Sequence, residues 1–120
     1  MFGSTNTVIY VRSSTHGPHS SLAHQRTECR TFATENGLRI LRDIPGLPEE
    51  VFSDGVFSDT EPGSTPKRGC GYGALLEAVE NPGLRVRFVV VADISRLGRT
   101  GLDVLKRRIE HVGVELLCVG

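Results

Sequence analysis

The chain has 120 residues, the length of one domain, and its 14 Lys and Arg residues balance its 14 Asp and Glu residues. This balance argues against a histone-like nucleic-acid binder, which needs a basic excess, but it allows a local basic cluster. The 3 cysteines show no CxxC spacing, and no long apolar run or signal-like start is present, so we expect a cytoplasmic protein without disulfides, zinc or a membrane span.

The first predicted element is a buried strand over Val8–Val11, which continues into an arginine and two serines. Side chains alternate along a strand, so Tyr10, Arg12 and Ser14 share one side if the extended geometry persists. Strand carboxyl ends form the ligand crevice of a parallel α/β sheet. A serine beside an arginine at such a position indicates attack on an anion, above all a phosphate. The alternative is a plain loop in which Arg12 forms a salt bridge.

A histidine-containing loop and a helix follow. His16, His19 and His24 have no carboxylate or cysteine in their cluster, so we predict neither a metal site nor any other cofactor. The apolar spacing predicts a helix over Leu22–Asn36 that Gly37 ends, with Gln25 one turn in, near the loop that carries Ser14. Alternation then predicts a second strand over Leu38–Ile44.

The stretch Pro45–Gly71 is rich in proline and glycine and predicts no regular element. It contains two similar segments, FSDG at Phe52–Gly55 and FSDT at Phe57–Thr60, and its only basic residues are Lys67 and Arg68. An irregular stretch of this length is usually functional or mobile. It is therefore either a surface loop or a flap that closes over a substrate and brings Arg68 with it.

The remaining pattern alternates helices and strands. A helix that begins with Ser95-Arg96-Leu97-Gly98-Arg99 places Arg96 and Arg99 on one side, near a helix N-terminus that attracts anions. The predicted elements are a helix at Ala74–Glu80, a strand at Arg85–Asp93, the helix through Val112 and a strand at Val114–Val119.

This order predicts an α/β domain with a mostly parallel central sheet of about four to five strands, flanked by helices in three layers. Three groups of residues follow predicted strand ends: Arg12 with Ser14, Asp54, and Arg96 with Arg99. Because the carboxyl ends of parallel strands meet at one edge, we expect the three groups to converge there.

Four motifs in this order resemble the catalytic domain of serine recombinases, the resolvases, invertases and large integrases. YVRSS is similar to the family's Y-x-R-x-S, whose last serine, here Ser14, is the nucleophile. SLAHQ is similar to S-L-x-x-Q and implies an active-site role for Gln25. FSDGVFS resembles D-x-x-x-S and implies Asp54 and Ser58, and RLGR matches the R-L-x-R of the last helix. The resemblance covers essentially the whole chain.

Two positions depart from the family pattern. Ser95 stands where the family commonly has an aspartate thought to assist proton transfer. The arginine expected before the α-helical segment at Gly71 falls on Gly69, with Arg68 one place away. We expect residues 1–120 to form the catalytic domain, with the family's dimerisation helix and DNA-binding domain absent from this chain.

The resemblance implies that Ser14 attacks a phosphodiester of double-stranded DNA, forms a 5′-phosphoserine link and allows strand exchange and rejoining. Arg12, Arg68, Arg96 and Arg99 would stabilise the transition state without a cofactor, in full-length proteins that act as dimers pairing into tetramers. One alternative is a catalytically weak remnant that serves as an interaction or dimerisation module. Another is a phosphate-ester or nucleotide-binding protein, although the chain lacks a GxxxxGK loop and an acidic metal cluster.

Overall fold

The computed structural model describes residues 5–12, 22–47, 51–59, 71–92 and 98–119, and at 22 and 98–101 it describes the backbone alone. These residues form an α/β domain. The elements are β1 (Asn6–Arg12), α1 (Leu22–Glu35), β2 (Arg39–Ile40), β3 (Phe52–Ser53), β4 (Val56–Asp59), α2 (Gly71–Glu80), β5 (Phe88–Val91), α3 (Gly98–Glu110) and β6 (Glu115–Cys118).

Strand β1 is the centre of a six-stranded sheet with the order β3-β4-β1-β5-β6, and β2 pairs with the beginning of β1. All pairings are parallel except the β3–β4 hairpin. The apolar runs of β1 and β5 explain their central position, because strands covered on both faces need apolar side chains on both.

The alternation of β1 divides the core into two layers. Val8 and Tyr10 pack with buried residues of α2 and α3, whereas Ile9 and Val11 pack with Cys29 of α1. The sheet is therefore sandwiched between α1 on one face and α2 with α3 on the other. The predicted three-layer architecture with a mostly parallel sheet is confirmed, but the sheet has six strands and not four to five, because β3 and β4 form a hairpin in the stretch predicted to be irregular.

The predicted second strand was too long, and the predicted irregular stretch contains two strands that the sequence pattern did not reveal. β2 covers only Arg39–Ile40, because β4 takes over the same side of β1 from Ile9 onward. The two strands lie so close that a Cβ at Gly55 would overlap the Ile40 side chain. A glycine therefore lets the hairpin reach the central strand.

Two glycines end helices, and the end at Gly37 was predicted. Gly37 and Gly113 have positive φ angles of 69° and 72°, which allow the chain to turn back after α1 and α3. Val112, where the predicted last helix ends, is 44% exposed. The helix ends at Glu110, so Val112 lies in the turn that follows and not on the packed face.

Candidate active site

The carboxyl ends of β1 and β4 lie side by side at one edge of the sheet, where Arg12 pairs in register with Asp59. On the other side of β1, Tyr10 pairs with Val91 near the end of β5. This edge, called here the carboxyl rim, is where a parallel sheet places its ligand site. Tyr10 faces the α2 side, so strand alternation directs the half-buried Arg12 side chain to that side too. The extended geometry on which the predicted shared side of Tyr10 and Arg12 depends persists through Arg12.

Gln25 fixes the end of β1. Its Oε1 accepts a hydrogen bond from the Arg12 backbone N–H at 3.1 Å, and its Nε2 donates to the Arg12 carbonyl at 2.9 Å. The side chain is 1% exposed, so water does not compete for these bonds. One amide thus satisfies both backbone groups of the last β1 residue and ties α1 to the rim. The predicted position of Gln25, near the chain that leads to Ser14, agrees with this contact to Arg12.

The Asp59 carboxylate accepts three hydrogen bonds at the carboxyl rim from other described residues. Its Oδ2 accepts hydrogen bonds from the Tyr10 hydroxyl at 2.7 Å and from the Tyr72 backbone N–H at 2.9 Å. Its Oδ1 accepts a bond from the Gly71 N–H at 2.7 Å. The carboxylate therefore accepts hydrogen bonds from the first two backbone N–H groups of α2, which have no partner within the helix. Its negative charge also interacts favourably with the positive end of the α2 dipole.

The start of α2 packs directly on β4. A Cβ at Gly71 would overlap the backbone of Ser58, so a glycine is required for this approach. The Tyr10 and Tyr72 rings meet edge to face with their centroids 5.8 Å apart. Through Asp59 and these rings, the strand that carries Arg12 and the first turn of α2 form one rigid unit.

Asp54 does not lie at the carboxyl rim, contrary to the expectation from the sequence. It occupies the β3–β4 turn with a φ of 54°, followed by Gly55 at 90°, in the two-residue turn that suits a hairpin. Because β3 runs antiparallel to β4, the end of β3 lies at the beginning of β4, away from Arg12.

The partners of Asp54 come from α1 and from the segment after β2. Arg30 Nη2 donates to both the carbonyl and Oδ2 of Asp54, and Arg42 Nε lies 3.8 Å from Oδ1. The Arg30 hydrogen bond holds the pKa of the Asp54 carboxyl below its usual value, and the charges of Arg30, Arg42 and Arg26 add to the effect. Asp54 orients arginines, but not those predicted for the active site.

Ser58 is on β4 next to Asp59, and strand alternation directs its side chain to the α1 side, away from Tyr10 and Arg12. The carboxylate that the prediction missed is Asp59. The sequence pattern that could have indicated Asp59 is in the second FSD segment. There, the apolar Val56 and Phe57 precede Ser58 and Asp59, just as the apolar run VIYV precedes Arg12. The same polar ending of an apolar strand marks both residues.

Four predicted active-site residues cannot be placed with the others. Ser14, Arg68 and Arg96 lie outside the described residues. Arg99 is in the first turn of α3, where the backbone alone is described. Within the described part of the chain, no group of His, Cys, Asp and Glu side chains is suited to hold a metal ion. No helix in these same ranges is both long enough and apolar enough to cross a membrane.

Residues 7–120 match the family model described as the N-terminal domain of resolvase. Among solved structures, the C-terminal catalytic domain of ISC1926 TnpA, an IS607-like serine recombinase, is similar with a TM-score of 0.71 and 22% identity, over 96% of this chain and 70% of that chain. A serine recombinase from Sulfolobus solfataricus is similar with a TM-score of 0.62 and 24% identity, over 95% of this chain and 67% of that chain. No curated protein matches the sequence.

Proposed function

The chain belongs to the resolvase N-terminal domain family, and from this we propose that it is a DNA recombinase catalytic domain whose nucleophile is Ser14. Its substrate is double-stranded DNA in the cytoplasm, and copies of the full-length protein pair on that DNA as dimers and tetramers. The family match spans both the strand that leads to Ser14 and the helix that contains Arg99.

In the proposed reaction the Ser14 hydroxyl oxygen forms a bond to phosphorus, and the bond from phosphorus to the 3′ oxygen breaks. The hydroxyl loses its proton, and the departing 3′ oxygen gains one to become an alcohol. The 5′ phosphate remains attached to Ser14 as an ester. Attack by a 3′ hydroxyl of another strand restores the phosphodiester and frees the serine, so rejoining needs no external energy source.

The observation that carries this proposal is the fixed backbone position of Arg12 at the carboxyl rim. Both of its backbone groups are held by Gln25, and strand alternation directs its side chain to the face of Tyr10. A guanidinium that extends from a fixed backbone needs less reorganisation to stabilise the charge that grows on the phosphate during the reaction. We assign the same role to Arg68, Arg96 and Arg99 from their motifs.

Asp59 replaces Asp54 as the carboxylate that we assign to the site. Three donors hold it between β1 and the start of α2, so it is suited to positioning these two elements. In particular, Asp59 holds Gly71, the first described residue after Arg68, beside the strand that contains Arg12. This contact supports a role for Asp59 in holding the start of α2 beside Arg12.

The proposal is tested by trapping the covalent intermediate. The chain is incubated with end-labelled DNA duplexes that carry a nick near a randomised centre, so that the cleaved strand diffuses away and rejoining fails. Denaturing gels then show DNA attached to protein. We expect a labelled band with the wild-type chain and with Ser13→Ala, and none with Ser14→Ala. The neighbouring hydroxyl serves as the matched control for folding and for general loop effects.

Two outcomes would overturn the proposal. If Ser13→Ala abolishes the band and Ser14→Ala retains it, the nucleophile is misassigned. If the wild-type chain forms no covalent product at all, the interaction-module alternative, favoured by Ser95 in place of the family aspartate, takes its place.

A further inference from the structure

Three arginines surround one carboxylate where α1 meets the β3–β4 hairpin. Arg30 donates to Asp54, Arg42 Nε lies 3.8 Å from Asp54 Oδ1, and the charge of Arg26 also acts on Asp54. We call these four residues the Asp54 cluster. Three positive charges and one negative charge leave an excess of two, on a chain whose formal net charge is zero.

Asp54 does not satisfy the donors of these arginines. Arg42 is 66% exposed and too far from Asp54 for a hydrogen bond. Arg30 Nε is buried without a partner among the described residues, and Arg26 makes no hydrogen bond to them. The Asp54 side chain is itself 45% exposed. The cluster is thus an incompletely neutralised set of guanidiniums at the surface.

The cluster extends along α1 from the turn that contacts the carboxyl rim toward the opposite end of β4. Arg26 follows Gln25, whose amide holds Arg12, and Arg30 lies one turn further along the same side of α1. Beside Arg30, a recess of about 250 Å³ is lined by Thr31, Thr34 and Glu35.

We propose that Arg26, Arg30 and Arg42 bind the phosphate backbone of duplex DNA on the α1 face of the sheet, and that Asp54 pairs with these guanidiniums until DNA replaces it. This inference rests on the proposed function, because it assigns the DNA that flanks the reacting phosphate. The surface contributes no sequence specificity, since contacts to phosphates fix position and orientation without distinguishing bases.

DNA fits this surface better than an acidic protein does. The planar guanidinium fork matches the paired oxygens of a phosphate. A protein interface would need an apolar centre, and among the described residues the exposed large apolar side chain is Val112, which follows α3 and not the cluster. The cluster therefore lacks the part that would hold a protein partner.

A second basic patch, at the end of α3, provides the control. Arg107 and Arg108 are in the last turn of that helix, and Arg108 is paired with Glu80. A helix C-terminus carries partial negative charge, which favours these cations but repels a phosphate. We therefore expect this patch to contribute little to DNA binding.

The test is the salt dependence of DNA binding. Fluorescence anisotropy with a labelled 30-base-pair duplex of random sequence, titrated at several KCl concentrations, gives the slope of log affinity against log salt. We expect Arg26→Gln and Arg42→Gln each to reduce the slope by about 1. Arg107→Gln leaves it unchanged. Asp54→Asn increases the affinity, because it removes the carboxylate that competes with phosphate.

Equal slopes for Arg26→Gln, Arg42→Gln and the wild-type chain would overturn the inference, as would an equal loss in Arg107→Gln. Far-ultraviolet circular dichroism verifies that each variant is folded. Covalent trapping of the same variants distinguishes failure of the DNA surface from failure of the proposed reaction. If the arginine variants reduce the salt slope but the wild-type chain forms no Ser14 adduct, the recombinase reaction is contradicted and the DNA surface is not. If the adduct forms but the arginine variants leave the slope unchanged, the DNA surface is contradicted and the reaction is not.

Discussion

At the scale of single residues, Gly71 controls how closely α2 approaches β4. A Cβ at this position would overlap the Ser58 backbone, which has no flexible atoms to move aside. We expect Gly71→Ala to lower the free energy of unfolding by about 1–3 kcal/mol through this overpacking, measured by urea titration. Gly83→Ala is the control, because its nearest neighbour at 3.2 Å is the movable side chain of Asn81. Equal effects of the two substitutions would contradict the close-approach argument.

Asp59 is the residue on which three hydrogen bonds converge. In Asp59→Asn an amide N–H₂ group replaces one of the two acceptor oxygens, so at least one of the donors Tyr10, Gly71 and Tyr72 loses its partner. We expect a loss of about 1–3 kcal/mol in the free energy of unfolding.

The matched control for Asp59→Asn is Asp43→Asn, which makes the same chemical change at an exposed position. It should change the free energy of unfolding by less than about 0.5 kcal/mol. A stability of Asp59→Asn equal to that of Asp43→Asn would show that the Asp59 network contributes nothing net.

At the scale of elements, Gln25 joins α1 to β1. In Gln25→Glu a carboxylate oxygen replaces Nε2 and faces the Arg12 carbonyl, so an attraction at 2.9 Å becomes a repulsion in a side chain of nearly the same shape. We expect faster hydrogen exchange at the end of β1, an unfolding free energy lower by about 1–3 kcal/mol, and slower covalent trapping of DNA. His24→Ala changes an exposed neighbour on the same helix and is the control. Unchanged exchange in Gln25→Glu would contradict the clamp.

The β3–β4 hairpin is tied to α1 through Asp54, and this contact is sensitive to acid. The hydrogen bond from Arg30 lowers the pKa of Asp54 below 3.8 in the folded chain, so its stabilising effect is present above that pH and disappears as the pH falls below it. We expect wild type to be more stable than Asp54→Asn at pH 6, and the difference to shrink as the pH falls below 3.8. A difference independent of pH would mean that the ion pair is not its source.

At the scale of the whole molecule, Cys29 reports on global unfolding. Its side chain is 0% exposed between α1 and the sheet, and burial raises the pKa of its thiol to about 12, with smaller contributions from Glu28 and Cys118. A raised pKa stabilises the fold below about pH 9, and this contribution is lost as the pH rises toward 12.

We therefore expect iodoacetamide at pH 8 to modify Cys29 only when the chain unfolds, as detected by mass spectrometry of peptides across a urea series. Cys118, which is half-buried, should react earlier in the same series. Native-state modification of Cys29 at the rate of a free thiol would show that the α1–sheet layer opens without global unfolding.

The sequence predicted the layers well, because layers depend on the periodicity of apolar residues, but its pattern did not reveal the β3–β4 hairpin. The VIYV run, the alternation of apolar positions and the glycines at 37 and 113 fixed the strands, helices and turns. The Asp-Gly turn between two FS-containing segments was the available signal for the hairpin. Its strands are short, so local pattern alone did not distinguish them from a loop.

By itself, the sequence determined the family, the three layers and the side of β1 on which Tyr10 and Arg12 lie, since these follow from motif order and from the two-residue period of a strand. Only the tertiary structure decided between Asp54 and Asp59. The two segments are nearly identical in sequence, and what separates them is the direction of their strands: β4 runs parallel to β1 and delivers Asp59 beside Arg12, whereas the antiparallel β3 carries Asp54 to the far end.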